Sequence, residues 1–207
     1  ETGVGASSSI FLLNEVWYKN YPRSPIHSFN DNAEWLQMDK VGHAMTSYYV
    51  GLVGNEMMKW SGVESKHAAL FGSTLGLVYL TGVELLDGTS AEWGFSWGDM
   101  IANGSGALLA GGQELLWQEQ RIKMKVSSHQ TTYALYRPNV LGATRTEQML
   151  KDYNGQTYWL SVNLKAMFFR DLEQFPSWLN VAVGYGAEEM VAGTPDADFC
   201  QQNPDLC

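Results

Sequence analysis

Three pairs of polar residues in the first half of the chain have spacings that could build an acid–base site. The members of each pair are three or four residues apart, so each pair lies on one face of a helix: Asp39 with His43, Glu84 with Asp87, and Asp99 with Asn103. Carboxylates beside an imidazole can move protons to and from a substrate. The pattern suggests His43 as general base and Glu84 or Asp87 as its orienter or acid. Asp99 joins this catalytic set and would position the substrate.

Asp39, Lys40 and Asn103 extend these residues into a ligand-binding polar cluster. No organic cofactor is predicted. Binding of a divalent metal by His43, Asp39 and Glu84 is an open alternative, because imidazole nitrogens and carboxylate oxygens are common metal ligands. The sequence contains no HxxxH, HExxH or CxxC motif that would strengthen this hypothesis. The structural alternative is that these side chains hydrogen-bond one another and only fix the packing of helices.

Apolar periodicity predicts three helices that would position these residues, at about 33–60, 64–87 and 97–120. Residues 30–32 (NDN) can cap the first helix, and Asp99 suits the positive end of the third. Short connections make consecutive helices antiparallel, so the polar residues meet at one end of the bundle. The opposite end would collect cations: Lys59, Lys66, Arg121, Lys123 and Lys125.

Small residues recur at four-residue spacing on two of these helices. Gly72 and Gly76 form a GxxxG motif, and Ala102, Gly106 and Ala110 form a similar ridge. Glycine weakens an isolated helix by about 0.5–1 kcal/mol relative to alanine, so these segments need tight packing or a bilayer to stay helical. We therefore predict a mainly α fold with three closely packed antiparallel central helices.

The composition indicates a membrane interface and argues against nucleic acid as a partner. Charged residues make up 17% of the 207 residues and aromatic residues 13%, whereas soluble domains average about 25% charged. Tryptophans fall at the predicted helix ends, as interface anchors do. A net charge of −9 does not suit binding to phosphates of nucleic acid. Asn55, Glu56 and a mean hydropathy of −0.20 leave a soluble bundle open as the alternative.

The chain divides into a helical core with an N-terminal loop, 1–126, and a C-terminal extension, 127–207, that packs on the core and is not an independent domain. Residues 158–164 and 177–183 resemble each other and favour an antiparallel β pair, although the first could also be a short helix. Cys200 and Cys207 can form a disulfide or stay as surface thiols. Because the sequence starts at Glu1 and not at Met, we expect an upstream segment.

Several motifs carry a resemblance to known families. The sequences DKVGH at 39–43, Glu84, and GDMIANGSG at 98–106 resemble the core of VanZ-like membrane proteins. More broadly, residues 32–155 are similar to the YfiM-like family of predicted bacterial periplasmic lipoproteins, a domain of unknown function. NDNAEWLQMDKVGHA, LLWQEQRIK and KDYNGQTYWLS resemble its Bacteroidetes branch. A lipid anchor would require a cysteine on the expected upstream segment, since residues near Glu1 include none.

The resemblance implies a location in the bacterial cell envelope, at the outer membrane or on the periplasmic side. The leading hypothesis is a membrane-associated structural or accessory component that binds lipid or is a subunit of an envelope complex. The rival hypothesis is a VanZ-like membrane enzyme acting on a lipid or cell-wall precursor head group through the Asp/His/Glu cluster. Membrane lipid and other envelope proteins are the expected partners.

Overall fold

Three long helices form the centre of the computed structural model, which describes residues 21–194 together with residues 201 and 204. They are α1 (Met38–Trp60), α2 (Ser65–Asp87) and α3 (Trp97–Trp117). Each helix packs against the other two, and the short connections make successive helices antiparallel. The predicted mainly α fold with three closely packed central helices is confirmed.

The small residues lie where the helix backbones approach each other most closely. A Cβ atom on Gly76 would overlap the backbone carbonyl of Ser47, and one on Gly106 would overlap that of Ala44. Gly72, at the end of a π-helical turn spanning Ala68–Gly72, is equally close to the backbone of α1. No other residue type fits such contacts without moving a helix, so the predicted GxxxG motif and glycine ridge do mediate helix packing.

The first helix begins later than the sequence predicts. Residues Glu34–Gln37 form a 3-10 turn, and α1 starts only at Met38. Trp35, Leu36 and Gln37 have left-handed backbone conformations, with φ between 47° and 67°. Left-handed residues cannot continue a right-handed helix, so the predicted start near residue 33 is wrong.

The third helix starts where predicted and ends three residues early. The Ser96 hydroxyl accepts a hydrogen bond from the Asp99 amide (3.1 Å), which caps the helix. Gln118 is left-handed (φ 53°) and terminates α3 after Trp117, before the predicted residue 120. The Gln113 side-chain oxygen accepts hydrogen bonds from the backbone amides of Arg121 (3.0 Å) and Ile122 (2.7 Å), at the start of the first strand.

A small antiparallel sheet follows the helices, with strands in the order β1 (Ile122–Ser128), β2 (Gln156–Asn163) and β3 (Asn180–Tyr185). The predicted β pair is therefore confirmed, and its helical alternative for 158–164 is not. The predicted division of the chain at residue 126 falls inside β1. Four short helices complete this part: α4 (Tyr133–Tyr136), α5 (Pro138–Leu141), α6 (Arg145–Lys151) and α7 (Leu164–Phe168).

The C-terminal part packs against the start of α1. Met38, Tyr158 and Met190 form a buried apolar cluster there. The Asn154 amide group donates to the carbonyl of Met190 (2.8 Å), and the Tyr185 hydroxyl donates to the carbonyl of Leu36 (2.6 Å). Cys200 and Cys207, for which a disulfide was considered, lie outside the described residues.

Among the described residues, one helix is long and apolar enough to cross a membrane by length and composition, namely Ser65–Asp87. Only 33% of its most apolar stretch is buried inside the protein. A core helix of a soluble protein would be mostly buried, so most of this apolar stretch faces outward.

Candidate functional site

The antiparallel packing brings the start of α1, the end of α2 and the start of α3 to one end of the bundle, as predicted. His43 lies at the centre of this end. Its Nδ1 is 3.1 Å from Asn103 Oδ1 and 3.5 Å from Glu84 Oε1. Its Nε2 is 3.9 Å from Asp39 Oδ1, one helical turn earlier. The imidazole therefore contacts carboxylates from two helices and the amide of a third.

A second set of contacts joins Lys40 to α3. Lys40 Nζ donates to Asp31 Oδ1 (2.8 Å) and lies 3.3 Å from Asp99 Oδ1. The hydroxyl of Ser96 donates to the same Asp31 oxygen (2.7 Å), and its amide donates to Glu84 Oε2 (3.1 Å). These contacts fix the loop before α1, the end of α2 and the N-terminus of α3 to one another.

Three members of this cluster were not predicted from the sequence. Asp31 was interpreted as a helix cap, but its carboxylate binds Lys40 and Ser96. Ser96 marked only a helix start. Tyr153, 114 residues away, donates its hydroxyl to Asp39 Oδ1 (2.8 Å). Periodicity gives no signal for a contact across that separation. Only the docking of the C-terminal part on α1 produces it.

The cluster buries charge that is incompletely satisfied. Glu84 is 1% exposed and Asp99 is 4% exposed. Glu84 Oε1, Asp99 Oδ1 and Asn103 Nδ2 make no hydrogen bond within the described part of the chain, although both carboxylate oxygens have a cationic group at 3.3–3.5 Å. A buried polar atom without a hydrogen bond destabilises the fold, so these atoms mark where a ligand, an ion or a water would be accommodated.

Crowding of carboxylates shifts the protonation of the cluster. Burial, together with repulsion from Asp39, raises the pKa of Asp99 to about 8. Hydrogen bonds from Asp99 and Lys40 outweigh burial and lower the pKa of Asp31. At neutral pH the raised pKa favours the protonated form of the Asp99 carboxyl. Burial raises the pKa of Glu84, and the nearby His43 only partly offsets this.

His43 is also perturbed. Burial lowers the pKa of its imidazole, but the neighbouring carboxylates of Asp39, Asp99 and Glu84 outweigh burial, and the net pKa lies above the ordinary value of 6.5. A raised pKa makes the imidazolium form, which can donate a proton, more available, and the role of His43 as general base stays a prediction.

Three residues of the cluster are close enough to share a metal ion. Asp39, His43 and Asp99 each offer a ligand atom, and these atoms lie within 4.8 Å of one another. This set contains Asp99 in place of the predicted ligand Glu84. With its Nδ1 proton directed at Asn103 or Glu84, His43 would present Nε2 on the side of Asp39. Metal-binding histidines are commonly oriented by such a second hydrogen bond.

Of the predicted site residues, Asp39, Lys40, His43, Glu84, Asp99 and Asn103 come together. Asp87 is half-buried at the end of α2, and its backbone carbonyl accepts a hydrogen bond from the amide of Ser90 (2.9 Å). Glu84 contacts both the His43 imidazole (3.5 Å) and the Ser96 amide (3.1 Å). The role of orienter or acid, which the sequence left between these two residues, therefore suits Glu84.

Residues 28–112 match the model of a family described as predicted periplasmic lipoprotein (DUF2279). No curated protein and no solved structure is significantly similar to the chain. The matched segment contains α1, α2 and most of α3, and hence every residue of the cluster except Tyr153. Its description agrees with the expected location in the cell envelope, on the periplasmic side. In its central helices, the chain is thus similar to a family of predicted periplasmic lipoproteins of unknown function.

Proposed function

We propose that the protein is a membrane-associated accessory component of the cell envelope that contacts lipid through the outer sides of α2 and α3. The observation that carries this proposal is a set of exposed apolar side chains on these two neighbouring helices. We call this set the lipid face: Phe71, Leu75, Val78 and Leu85 of α2, and Trp97, Ile101, Leu108 and Leu115 of α3.

The lipid face has no exposed charge along its length. Between residues 68 and 86 the one charged side chain is Glu84, and within α3 there are Asp99 and Glu114. All three are buried. The solvent side of a helix in a soluble protein is normally polar, and large exposed apolar patches mark membrane or protein interfaces. Trp60 and Trp97, which are 90% and 70% exposed at helix ends, suit the interfacial region of a membrane.

Flotation of the purified chain with phosphatidylcholine vesicles tests this proposal. Leu108→Asp places a charge in the middle of the lipid face and should abolish flotation. Thr46→Asp places the same charge on the exposed side of α1 and should leave flotation unchanged. Failure of the unmodified chain to float, or equal flotation of both variants, would contradict lipid contact. The lipid face would then be a contact surface for another envelope protein, which is the other expected partner.

A second candidate function is a VanZ-like membrane enzyme acting on a lipid or cell-wall precursor head group. The buried oxygens of Glu84 and Asp99 that lack hydrogen bonds favour it. Head-group chemistry would use His43 as proton donor, with Asp99 and Asn103 positioning the substrate. Alternatively, Asp39, a neutral His43 and Asp99 would hold a divalent ion, which would polarise a phosphoryl or carbonyl oxygen when bound.

Single substitutions separate this enzyme from a packing role for the cluster. If the cluster does chemistry, each of three variants should abolish the phenotype that the protein confers in cells: His43→Ala, Glu84→Gln and Asp99→Asn. Their abundance and thermal stability should stay unchanged. His67→Ala, which removes an exposed imidazole paired with Glu64, is the matched control. Loss of folding in all three cluster variants would support the packing role.

A further inference from the structure

A second charged site lies at the opposite end of the bundle, where α3 ends and the sheet begins. A cleft of about 560 Å³ opens there, and five cationic side chains line it: Arg121, Lys123, Lys125, Lys165 and Arg170. Among the described lining residues Glu119 is the single acid. The whole chain has 13 Lys and Arg against 22 Asp and Glu, so this local excess of positive charge runs against the overall composition.

Secondary structure holds the cations of this cleft on one side. Lys123 and Lys125 are two residues apart on β1, and alternate residues of a strand share a face. Asn163 and Asn180 are paired across β2 and β3 and add amide groups to the same cleft. Lys165 donates to the carbonyl of Glu173 (3.1 Å), which holds its ammonium group in place.

Arg121 gives the cleft a fixed, buried cation. It is 9% exposed, its guanidinium lies 4.6 Å from the centre of the Trp117 ring, and its Nε is 3.4 Å from Glu119 Oε2. This Nε makes no hydrogen bond within the described chain. The backbone amides of Arg121 and Ile122 both donate to Gln113 Oε1, which holds the adjacent backbone. Arg121 lines the cleft, and arginine binds oxyanions strongly.

Two exposed aromatic residues are close in sequence to residues that line the cleft. Phe168 lies between Lys165 and Arg170 in sequence and is 67% exposed. Trp178 follows Ser177 of the cleft lining and is 76% exposed. Cations beside exposed aromatic side chains are typical of protein surfaces that meet lipid head groups. A soluble anion would be bound without such rings.

We infer that this basic cleft binds the phosphate of an anionic phospholipid head group. The inference rests on the proposed lipid contact, since the lipid face supplies the apolar attachment and the cleft adds head-group selectivity. A phosphate group binds the guanidinium of Arg121 and neutralises the lysines that line the cleft. The neighbouring aromatic rings enter the interfacial region of the membrane. Free phosphate offers the same oxyanion but makes no use of the rings.

The test compares the chain on vesicles of pure phosphatidylcholine and on vesicles that also contain phosphatidylglycerol. The unmodified chain should bind the anionic vesicles more tightly, and high salt should remove the difference. Lys123→Gln combined with Lys125→Gln should reduce the anionic preference about 5-fold for each lysine removed. Lys66→Gln combined with Arg145→Gln changes the net charge equally at exposed positions outside the cleft and should retain the preference.

The outcomes distinguish the cleft from the lipid face. Equal binding of the unmodified chain to both vesicle types would overturn the proposal that the cleft binds anionic head groups. The proposed lipid contact would be unaffected. Binding to neither type would overturn both. If the two double variants lose the preference for anionic vesicles equally, net charge alone determines that preference. This result would also overturn the proposed binding by the cleft. If inorganic phosphate stabilises the chain through Lys123 and Lys125 without any vesicle preference, the ligand is a soluble anion and the lipid assignment is wrong.

Discussion

At the end of the bundle where α1 begins, four carboxylates, a lysine and an imidazole are packed together with little access to water. At the opposite end, five cations line an open cleft with one acid among them. The first end combines charges of both signs, and the second concentrates positive charge. The first does so in the interior, where each charge needs a partner or a proton, and the second does so at the surface, where water solvates it.

This difference separates two uses of charge. Removing a buried charged group from water costs several kcal/mol unless a counter-charge and hydrogen bonds replace the water, so the first end requires defined geometry. Exposed charges are screened over about 10 Å at 0.1 M salt and contribute little to folding. Removal of the buried counter-charge, Lys40, should therefore change stability, while substitutions in the basic cleft should change binding.

The largest expected effect is at Lys40, which is the buried counter-charge of Asp31 and Asp99. Lys40→Met leaves the carboxylate of Asp31 in the interior without its cation and should lower the free energy of unfolding by about 3–5 kcal/mol. Lys123→Met in the cleft should change it by less than about 0.5 kcal/mol. Urea denaturation measures both, and equal effects would remove the distinction between the two ends.

Zinc should stabilise the first end and not the second. At a free concentration about 100 times the Kd, Zn²⁺ bound by Asp39, His43 and Asp99 would raise the free energy of unfolding by about 2.7 kcal/mol. His43→Gln should abolish this increase, whereas His67→Gln at the exposed pair with Glu64 should retain it. A zinc-induced rise in Tm that survives in His43→Gln would contradict a metal site in the cluster.

The pH dependence of stability should depend on Asp99. Its pKa of about 8 in the folded chain exceeds the unfolded value of about 3.9. The folded chain therefore holds more protons than the unfolded chain between about pH 4 and 8, and stability falls as the pH rises through this window, by at most about 1.4 kcal/mol per pH unit. The raised pKa values of Glu84 and His43 act in the same direction.

Asp99→Asn should flatten this slope, measured by chemical denaturation in the presence of a chelator. Asp171→Asn at an exposed position should leave the slope as it is. If the pH dependence of stability is unchanged in Asp99→Asn, the Asp99 carboxyl does not have the raised pKa.

The smallest effect on folding is expected in the basic cleft. Lys123→Gln combined with Lys125→Gln removes two exposed charges from β1 and should alter the free energy of unfolding by no more than about 0.5 kcal/mol. Thermal unfolding in vesicle-free buffer measures this change. A loss of several kcal/mol would show that these lysines hold the sheet on the helices, and the binding test on this variant would then need single substitutions.

Much of the helical part could be predicted because its signals are local. The spacing of Asp39 and His43, the glycines at 72 and 76, and the start of the third helix near residue 97 each follow from positions within one or two helical turns. Antiparallel succession of short-linked helices then brings distant residues to the same end. The prediction was wrong at the start of α1, where left-handed residues override a favourable capping sequence.

The rest of the cluster could not be predicted because its contacts span long separations. Asp31 looked like a cap, and only the packed end of α3 shows that its carboxylate binds Lys40 and Ser96. Tyr153 reaches Asp39 because the C-terminal part docks on α1. The basic cleft likewise combines residues from the end of α3 with others from α7 and the segment before β3.

The sequence by itself determined the three helices, their close packing through small residues, and the end at which the acidic and imidazole groups meet. Periodicity and glycine spacing are properties of neighbouring positions, so they can be read without coordinates. Only the tertiary structure decided which carboxyl holds the proton, which tyrosine joins the cluster, and that five cations share one cleft. Burial, pKa shifts and charge convergence depend on distances between residues far apart in the chain, and the folded arrangement alone sets those distances.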